Sequence, residues 1–331
     1  MEPELIRDFN KRLRDYTDAL LLCGSPVPSD WDQARRRLDL LQPFFVFAED
    51  PELVRQFRAG REQARKELAS RGVILHSTLA LWEPYDKRKW DDARRTLMSA
   101  GEVGLHLLVK SLFNLLLNGQ YREVWIHARF GLVEAGPVAL ETARELARVL
   151  EERVPPDAPI FPQDDLTQVF LVLIGFGDPG RGAVEAWARH PKTNVRRVVA
   201  RAFGEALDPA GLPVLARFVR EDREFAVRWA AAQALGRMAP ARSEAGRVLV
   251  ERIRAETDRT VRLAILEAIG ELHYEEAVPD LMAVVEVPSL ETATAAMSAL
   301  YRITGEKFTR REQWKKWYDE VYPKWKVRPR R

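Results

Sequence analysis

The chain has one cysteine, Cys23, among 331 residues. A lone thiol excludes an intramolecular disulfide and a zinc site built from cysteines. Histidine is scarce as well: His76, His106, His127, His190 and His273 complete the set. No two of them stand four residues apart and no H-E-x-x-H spacing occurs, so no metal ligands are predicted. His127 shares a predicted helix with Trp125 and reads as a packing or surface histidine. Fingerprints of the G-x-S-x-G, P-loop and dinucleotide types are missing. GFGDPGRG, from Gly175, is rich in glycine, but it follows a helical stretch rather than a strand, and Asp178-Pro179-Gly180 spells a turn. No cofactor and no catalytic residue is therefore expected. Long apolar runs are lacking too. The longest, VGLHLLVKSLFNLLL from Val103, is broken by His106, Lys110 and Asn114, too short and too polar to enter a bilayer as a span. The opening MEPELIRDFNKRLRDY has no apolar core behind a basic start, so no secretory signal is expected and the cytoplasm is the default location.

A surplus of charge is also missing from most of the chain. The formal net charge is +3 and the pI about 9.0, yet Lys307–Arg331 holds ten Lys or Arg against three acids. The remaining 306 residues carry 42 bases and 46 acids. The basic pI thus belongs to the carboxy-terminal segment, and the body does not have the charge of a polyanion-binding protein.

What is present is a repeat. NVRRVVARAFGEAL from Asn194, FAVRWAAAQALGRM from Phe225 and RTVRLAILEAIGEL from Arg259 align without gaps. Each has Val-Arg, with Gly nine residues after the Val: Val195 and Gly204, Val227 and Gly236, Val261 and Gly270. The Val anchors are 32 and 34 residues apart. ETATAAMSALYRI is a degenerate fourth copy, with Thr292 at the anchor and Tyr301 in place of the Gly. Apolar residues at anchor, +3, +4, +7 and +8 give a helix buried along one face. A second apolar helix lies between copies: GLPVLARFV, AGRVLVERI and AVPDLMAVV. Pro213 and Pro279 sit where an early helical position tolerates a missing N–H. Strand signals are absent, and a fixed period of this length signals a helical solenoid.

The acid-turn-VR-x-x-A-x-x-A-h-G helix followed by an h-P-x-L helix resembles the short bacterial HEAT-repeat family, the type also seen in phycobilin-lyase-like proteins. The resemblance covers about Phe170 to Gly305. It implies an all-α protein: an α-solenoid of HEAT-like helical hairpins, with an irregular helical amino-terminal half and a Trp-rich carboxy-terminal cap helix. The expected divisions are 1–153 for the irregular half, 154–165 for a proline-rich linker, 166–305 for the repeats, and 306–331 for the capping helix and basic tail. The linker rests on Pro155, Pro156, Pro159 and Pro162, a density no helix survives.

In the first half, Leu5, Phe9, Leu13, Tyr16 and Leu20 form a helical stripe. WDQARRRLDLL from Trp31 and WDDARRTLMSA from Trp90 echo each other, each a Trp at a helix entry followed by an arginine face. At the other end, Trp314, Trp317, Tyr318 and Val321 share one helix face, as a unit covering the last repeat requires. Pro323 is expected to end that helix and leave an extended tail.

Positions +2, +6 and +10 leave the buried stripe and are expected on the concave surface. They read Arg197, Arg201 and Glu205, then Trp229, Gln233 and Arg237, then Leu263, Glu267 and Glu271, then Thr294, Ser298 and Arg302. The face changes from basic through aromatic to acidic, whereas a strip followed by nucleic acid should stay basic. An apolar anchor rimmed by charge is the anatomy of a protein interface. The expected function is a non-enzymatic interaction scaffold or assembly subunit. Its candidate partner-binding residues are Arg197, Arg201, Trp229, Gln233, Arg237, Leu263, Glu267 and Glu271. Lys324, Lys326, Arg328, Arg330 and Arg331 form a basic tail. Nucleic acid is the less favoured partner, and no membrane insertion is expected. WARHPKTNVRR from Trp187, with the helices after it, also resembles the HEAT-like-repeat alkylpurine DNA glycosylases. That resemblance implies lesion stacking by Trp187 and Trp229, phosphate contacts from Arg197 and Arg201, and Glu205 as the carboxylate. The E-G-x-R-P-x-L-P-W run of one such branch is absent. A bilin-lyase-like role rests on fold analogy alone.

Overall fold

A computed structural model describes residues 3–41, 51–118, 122–155 and 165–327. Among these residues every regular element is helical and no strand occurs. They divide into two compact units, Met1–Ala139 and Leu140–Arg331. Residues 156–164 of the proline-rich stretch lie outside the described residues.

The first unit contains α1 (Pro3–Leu22), α2 (Pro28–Leu41), α3 (Pro51–Arg58), α4 (Glu62–Trp82), α5 (Lys87–Ser99), α6 (Gly101–Asn118) and α7 (Arg122–Glu134); α8 (Pro137–Arg153) starts at its edge. Helix α4 packs against α1, α3, α5 and α6, and α7 follows on α6. Tyr16, Leu20 and Cys23 meet Ala34, Leu38, Phe57 and Leu68 in a core that includes Leu13 only at its margin. Phe9, expected in the same stripe, is exposed, because α2–α4 cover only the later turns of α1. The two Trp-Asp helices are structural. Trp31 Nε1 donates to the Ser25 carbonyl at 2.7 Å, and the Arg65 guanidinium lies over its ring. Trp90 is buried edge-on to Tyr85, which in turn stacks on His127. Arg35 pairs with Asp32, Arg94 with Asp91 and Glu134, and Arg95 with Asp92.

The second unit is the solenoid. Its helices are α9 (Asp165–Gly175), α10 (Asp178–Ala186), α11 (Thr193–Ala206), α12 (Leu212–Glu221), α13 (Phe225–Gly236), α14 (Arg242–Ala255), α15 (Arg259–Glu271), α16 (Val278–Val285), α17 (Leu290–Thr304), α18 (Arg311–Glu320) and α19 (Tyr322–Lys326). The VR helices α11, α13, α15 and α17, preceded by α9, stack in succession as one layer; α10, α12, α14 and α16 form the other. Anchors Val195, Val227 and Val261 are fully buried. The repeated glycine has a geometric cause. A Cβ on Gly204 would lie 2.6 Å from the Ala234 Cβ, and one on Gly236 would lie 2.8 Å from Ala268. Such spacing lets neighbouring VR helices approach backbone to backbone. At the same register of α17 stands Tyr301, 44% exposed. It is tolerated because α18 packs on α16 rather than extending the VR layer.

An arginine ladder ties the repeats together. Arg196 is bidentate to Asp222 at 2.8 and 3.0 Å, and Arg228 is bidentate to Glu256 at 2.9 and 3.1 Å. Each also donates to two carbonyls of the turn before its own helix. The ladder crosses repeats, and Glu256 rather than Asp258 receives Arg228. Asp258 caps α15 through the Val261 N–H. Asn194 holds the Pro155 carbonyl instead of serving the ladder. The ladder ends at Arg262, which reaches back to the Glu256 carbonyl, because Val287 occupies the next acidic position.

The closing unit is more extensive than expected. Trp314 and Trp317 are buried and meet edge-on, and Trp317 also touches Tyr322 and Trp325. Val321 is exposed, and buried Tyr322 takes its place on the covered face. Pro323 does not open an extended tail. It stands in the first turn of α19, where its missing N–H costs nothing. Lys324 and Lys326 are exposed on that short helix, while Arg328, Arg330 and Arg331 lie outside the described residues.

Candidate partner-binding grooves

Helices α11 and α13 open a groove of about 260 Å³ between them. Its floor is Val198, Gly204, Ala230 and Ala234, small or apolar residues that the close helix approach requires. Its rims are Arg197 and Arg201 on α11, and Trp229, Gln233 and Arg237 on α13. Five of the eight residues expected on the concave surface thus converge. The +2, +6 and +10 positions lie one above the other along each helix, and two neighbouring helices bring two such columns face to face.

The charges in this groove are unequally matched. Arg201 pairs with Glu205 at 3.1 Å, within the same helix. Arg197 donates to the Asn194 side-chain oxygen at 2.9 Å, and its buried Nε finds no acceptor among the described residues. Burial, and then the neighbouring Arg201 charge, disfavour the Arg197 cation and lower its pKa from the usual arginine value. Arg237 is exposed and makes no ion pair among the described residues. Trp229 is half-buried at the rim. The groove therefore holds positive charge next to an aromatic face, with the Glu205 carboxylate paired to Arg201.

A second, more open groove of about 830 Å³ lies between α15 and α17. Leu263, Leu290, Thr294, Ala295 and Ser298 line it, and Arg259 and Glu291 at its end pair with each other. Leu263 is thus separated from the arginine groove. Glu267 and Glu271 line neither; Glu267 is exposed, and Glu271 approaches Arg302 at 3.9 Å. Leu290, 74% exposed, is a site residue that the +2, +6, +10 series misses. Extending that series back one turn to −2 finds it, together with Thr193, Phe225 and Arg259, each the first residue of its helix.

Of the residues implied by the glycosylase resemblance, Arg197, Arg201 and Trp229 line the α11–α13 groove and Glu205 pairs with Arg201, but Trp187 does not join them. Trp187 packs on Phe170 and donates its Nε1 to Glu151, apart from the groove that holds Trp229. The turn at Asp178 starts α10, and Arg181 ties it to Asp208 at 3.0 Å. In the first unit, a cavity of about 600 Å³ is lined by Arg14, Asp18, His76, Glu83, Lys89 and Asp92, among others. Its charges compensate internally, since Glu83 lies within 3.6 Å of both Arg14 and Lys89. Among the described residues no helix is long and apolar enough to cross a membrane.

Comparison with known proteins agrees with the architecture of the second unit. The family model for HEAT repeats matches residues 182–268, and that for the PBS lyase HEAT-like repeat matches residues 261–286. No curated protein matches the chain. Similar solved structures include the crystal structure of Kap121p, at 12% identity over 95% of this chain and 39% of that one, with a TM-score of 0.45. An engineered protein is 18% identical over 72% of this chain and 91% of its own, with a TM-score of 0.33. Human deoxyhypusine hydroxylase in complex with glycerol is 16% identical over 73% and 99%, with a TM-score of 0.27. This chain spans well under half the length of the Kap121p chain, and at these identities the likeness concerns the fold alone. Residues 182–286 are HEAT repeats, and the match to that family concerns this part of the chain.

Proposed function

We propose that the chain is a non-enzymatic interaction scaffold, or an assembly subunit, that holds a protein partner against the VR-helix face of its repeats. The observation that carries this reading is the α11–α13 groove, where a half-buried Trp229 lines one depression with Arg197, Arg201 and Arg237, and Glu205 pairs with Arg201. Aromatic and arginine side chains gathered at one depression are the usual composition of an interface centre. The small groove volume suits side chains of a partner rather than a small-molecule substrate. Lys324, Lys326, Arg328, Arg330 and Arg331 are accessory contacts in this reading. A lone buried thiol suits a cytoplasmic location, where thiols stay reduced.

Affinity purification from the native host, with the wild-type chain and the Trp229→Ala/Arg201→Glu variant side by side, tests it. Proteins that co-elute with the wild type should be lost from the variant, provided circular dichroism shows the same helicity. Equal capture by a folded variant overturns the assignment of this surface.

A further inference from the structure

We propose that the VR-helix face binds an extended acidic segment of a partner protein, its carboxylates in the Arg197–Arg237 groove and an apolar side chain of the same segment in the Leu263–Leu290 groove. This rests on the scaffold reading and adds the chemistry of the ligand.

Charge complementarity supplies the first argument. Arg259 is matched by Glu291, Arg302 by Glu271 and Arg201 by Glu205. Arg197 and Arg237 have no carboxylate partner among the described residues, and both line one groove, Arg197 from the start of α11 and Arg237 from the end of α13. A second anion placed there relieves the repulsion between Arg197 and Arg201, and guanidinium groups bind carboxylates through strong charge-assisted hydrogen bonds. Burial and that repulsion already depress the Arg197 pKa, so an incoming carboxylate is favoured by more than contact alone.

The second argument is the change of character along the face. In the α15–α17 groove the charges at the end cancel, and two leucines with Ala295 form the wall. Between the two grooves stand the acids Glu267 and Glu271. A phosphate backbone crossing this face would meet cations, then carboxylates, then leucine, whereas each phosphate wants a cation. A peptide can alternate in the same order.

Spacing follows from helix packing. Packed helices lie about 8–10 Å apart, so the two grooves, two helix steps apart, are separated by roughly 16–20 Å. An extended chain advances about 3.3 Å per residue, which places the apolar residue about five or six positions from the acids.

Fluorescence anisotropy with the full-length chain and a labelled twelve-residue peptide, paired aspartates followed six residues later by leucine, tests the proposal. Binding should be strongest at that spacing and weaker at two or ten residues. It should fall about tenfold or more when lysines replace the aspartates, and should weaken with added salt. Arg197→Ala/Arg237→Ala should abolish the preference for aspartate over lysine. Leu263→Ser/Leu290→Ser should abolish only the preference for leucine over serine. Three outcomes overturn the proposal: equal binding of the aspartate and lysine peptides by the wild type, which needs no folded variant; tighter binding of a single-stranded oligonucleotide than of the peptide; or self-association, detected by sedimentation, that the peptide does not disperse. If the peptide fails while Trp229→Ala/Arg201→Glu still loses its cellular partner, the acidic-segment inference falls and the scaffold reading stands.

Discussion

Glu256 shows how one residue can hold an array together. Its carboxylate is fully buried and accepts from Arg228, Arg252 and the backbone N–H groups of Thr257 and Asp258. Burial pushes the carboxyl up, but Arg228, the Asp258 N–H and Arg252 together hold it down, from 4.5 to about 2. Because its folded-state pKa is lowered, Glu256 contributes full stability above its unfolded value and loses it as pH falls from about 4.5 to about 2. Glu256→Gln leaves Arg228 half-buried without its charge partner and should cost about 3 kcal/mol at neutral pH. The melting temperature should drop by about 6–12 °C, and the gap to the wild type should close on acidification through that window. A gap constant from pH 5 to pH 2 would rule out this role. At the same scale, Cys23 is an inert core residue: burial pushes its thiol up to about 12.

At the scale of elements, the repeating helix and the closing unit obey different constraints. Gly204 and Gly236 are required only where another VR helix follows at backbone distance, and α17, which has no successor, carries Tyr301 instead. The closing helices cover the last hydrophobic face through aromatic rings. Trp317 is at the centre, touching Trp314, Tyr322 and Trp325, whereas Trp325 lies at the margin. Trp317→Ala should therefore destabilise the second unit by roughly 3–5 kcal/mol, and Trp325→Ala by clearly less. Lys324→Ala/Lys326→Ala should leave thermal melting unchanged, since both side chains are exposed. Equal losses from the two tryptophan variants would show that α18 and α19 do not form the nested cap described above.

For the whole molecule, two compact units with their own cores predict two autonomously folding pieces. A fragment beginning at Pro137, which keeps α8 whole, should be helical by circular dichroism and melt cooperatively. A fragment that stays unstructured would mean that the repeats depend on the first unit for stability. Much of this was legible from the sequence by itself. The 32- and 34-residue spacing of Val195, Val227 and Val261, the buried stripe, the repeated Val-Arg pair and the aromatic cap all follow from patterns local to one helix or copied at a fixed period. The irregular half offered less, because its stripe from Leu5 to Leu20 has no repeat to say which turns are covered, and Phe9 proved exposed. Only the tertiary structure decided that Glu256 and not Asp258 receives Arg228, that the α19 turn folds onto Trp317, and that the candidate surface splits into an arginine groove and a leucine groove. Those outcomes depend on which carboxylate lies opposite which guanidinium across 26 or 28 residues of chain, and on how closely adjacent helices approach. A helical period specifies which face a residue occupies, but the packing of one helix on the next determines what that residue meets.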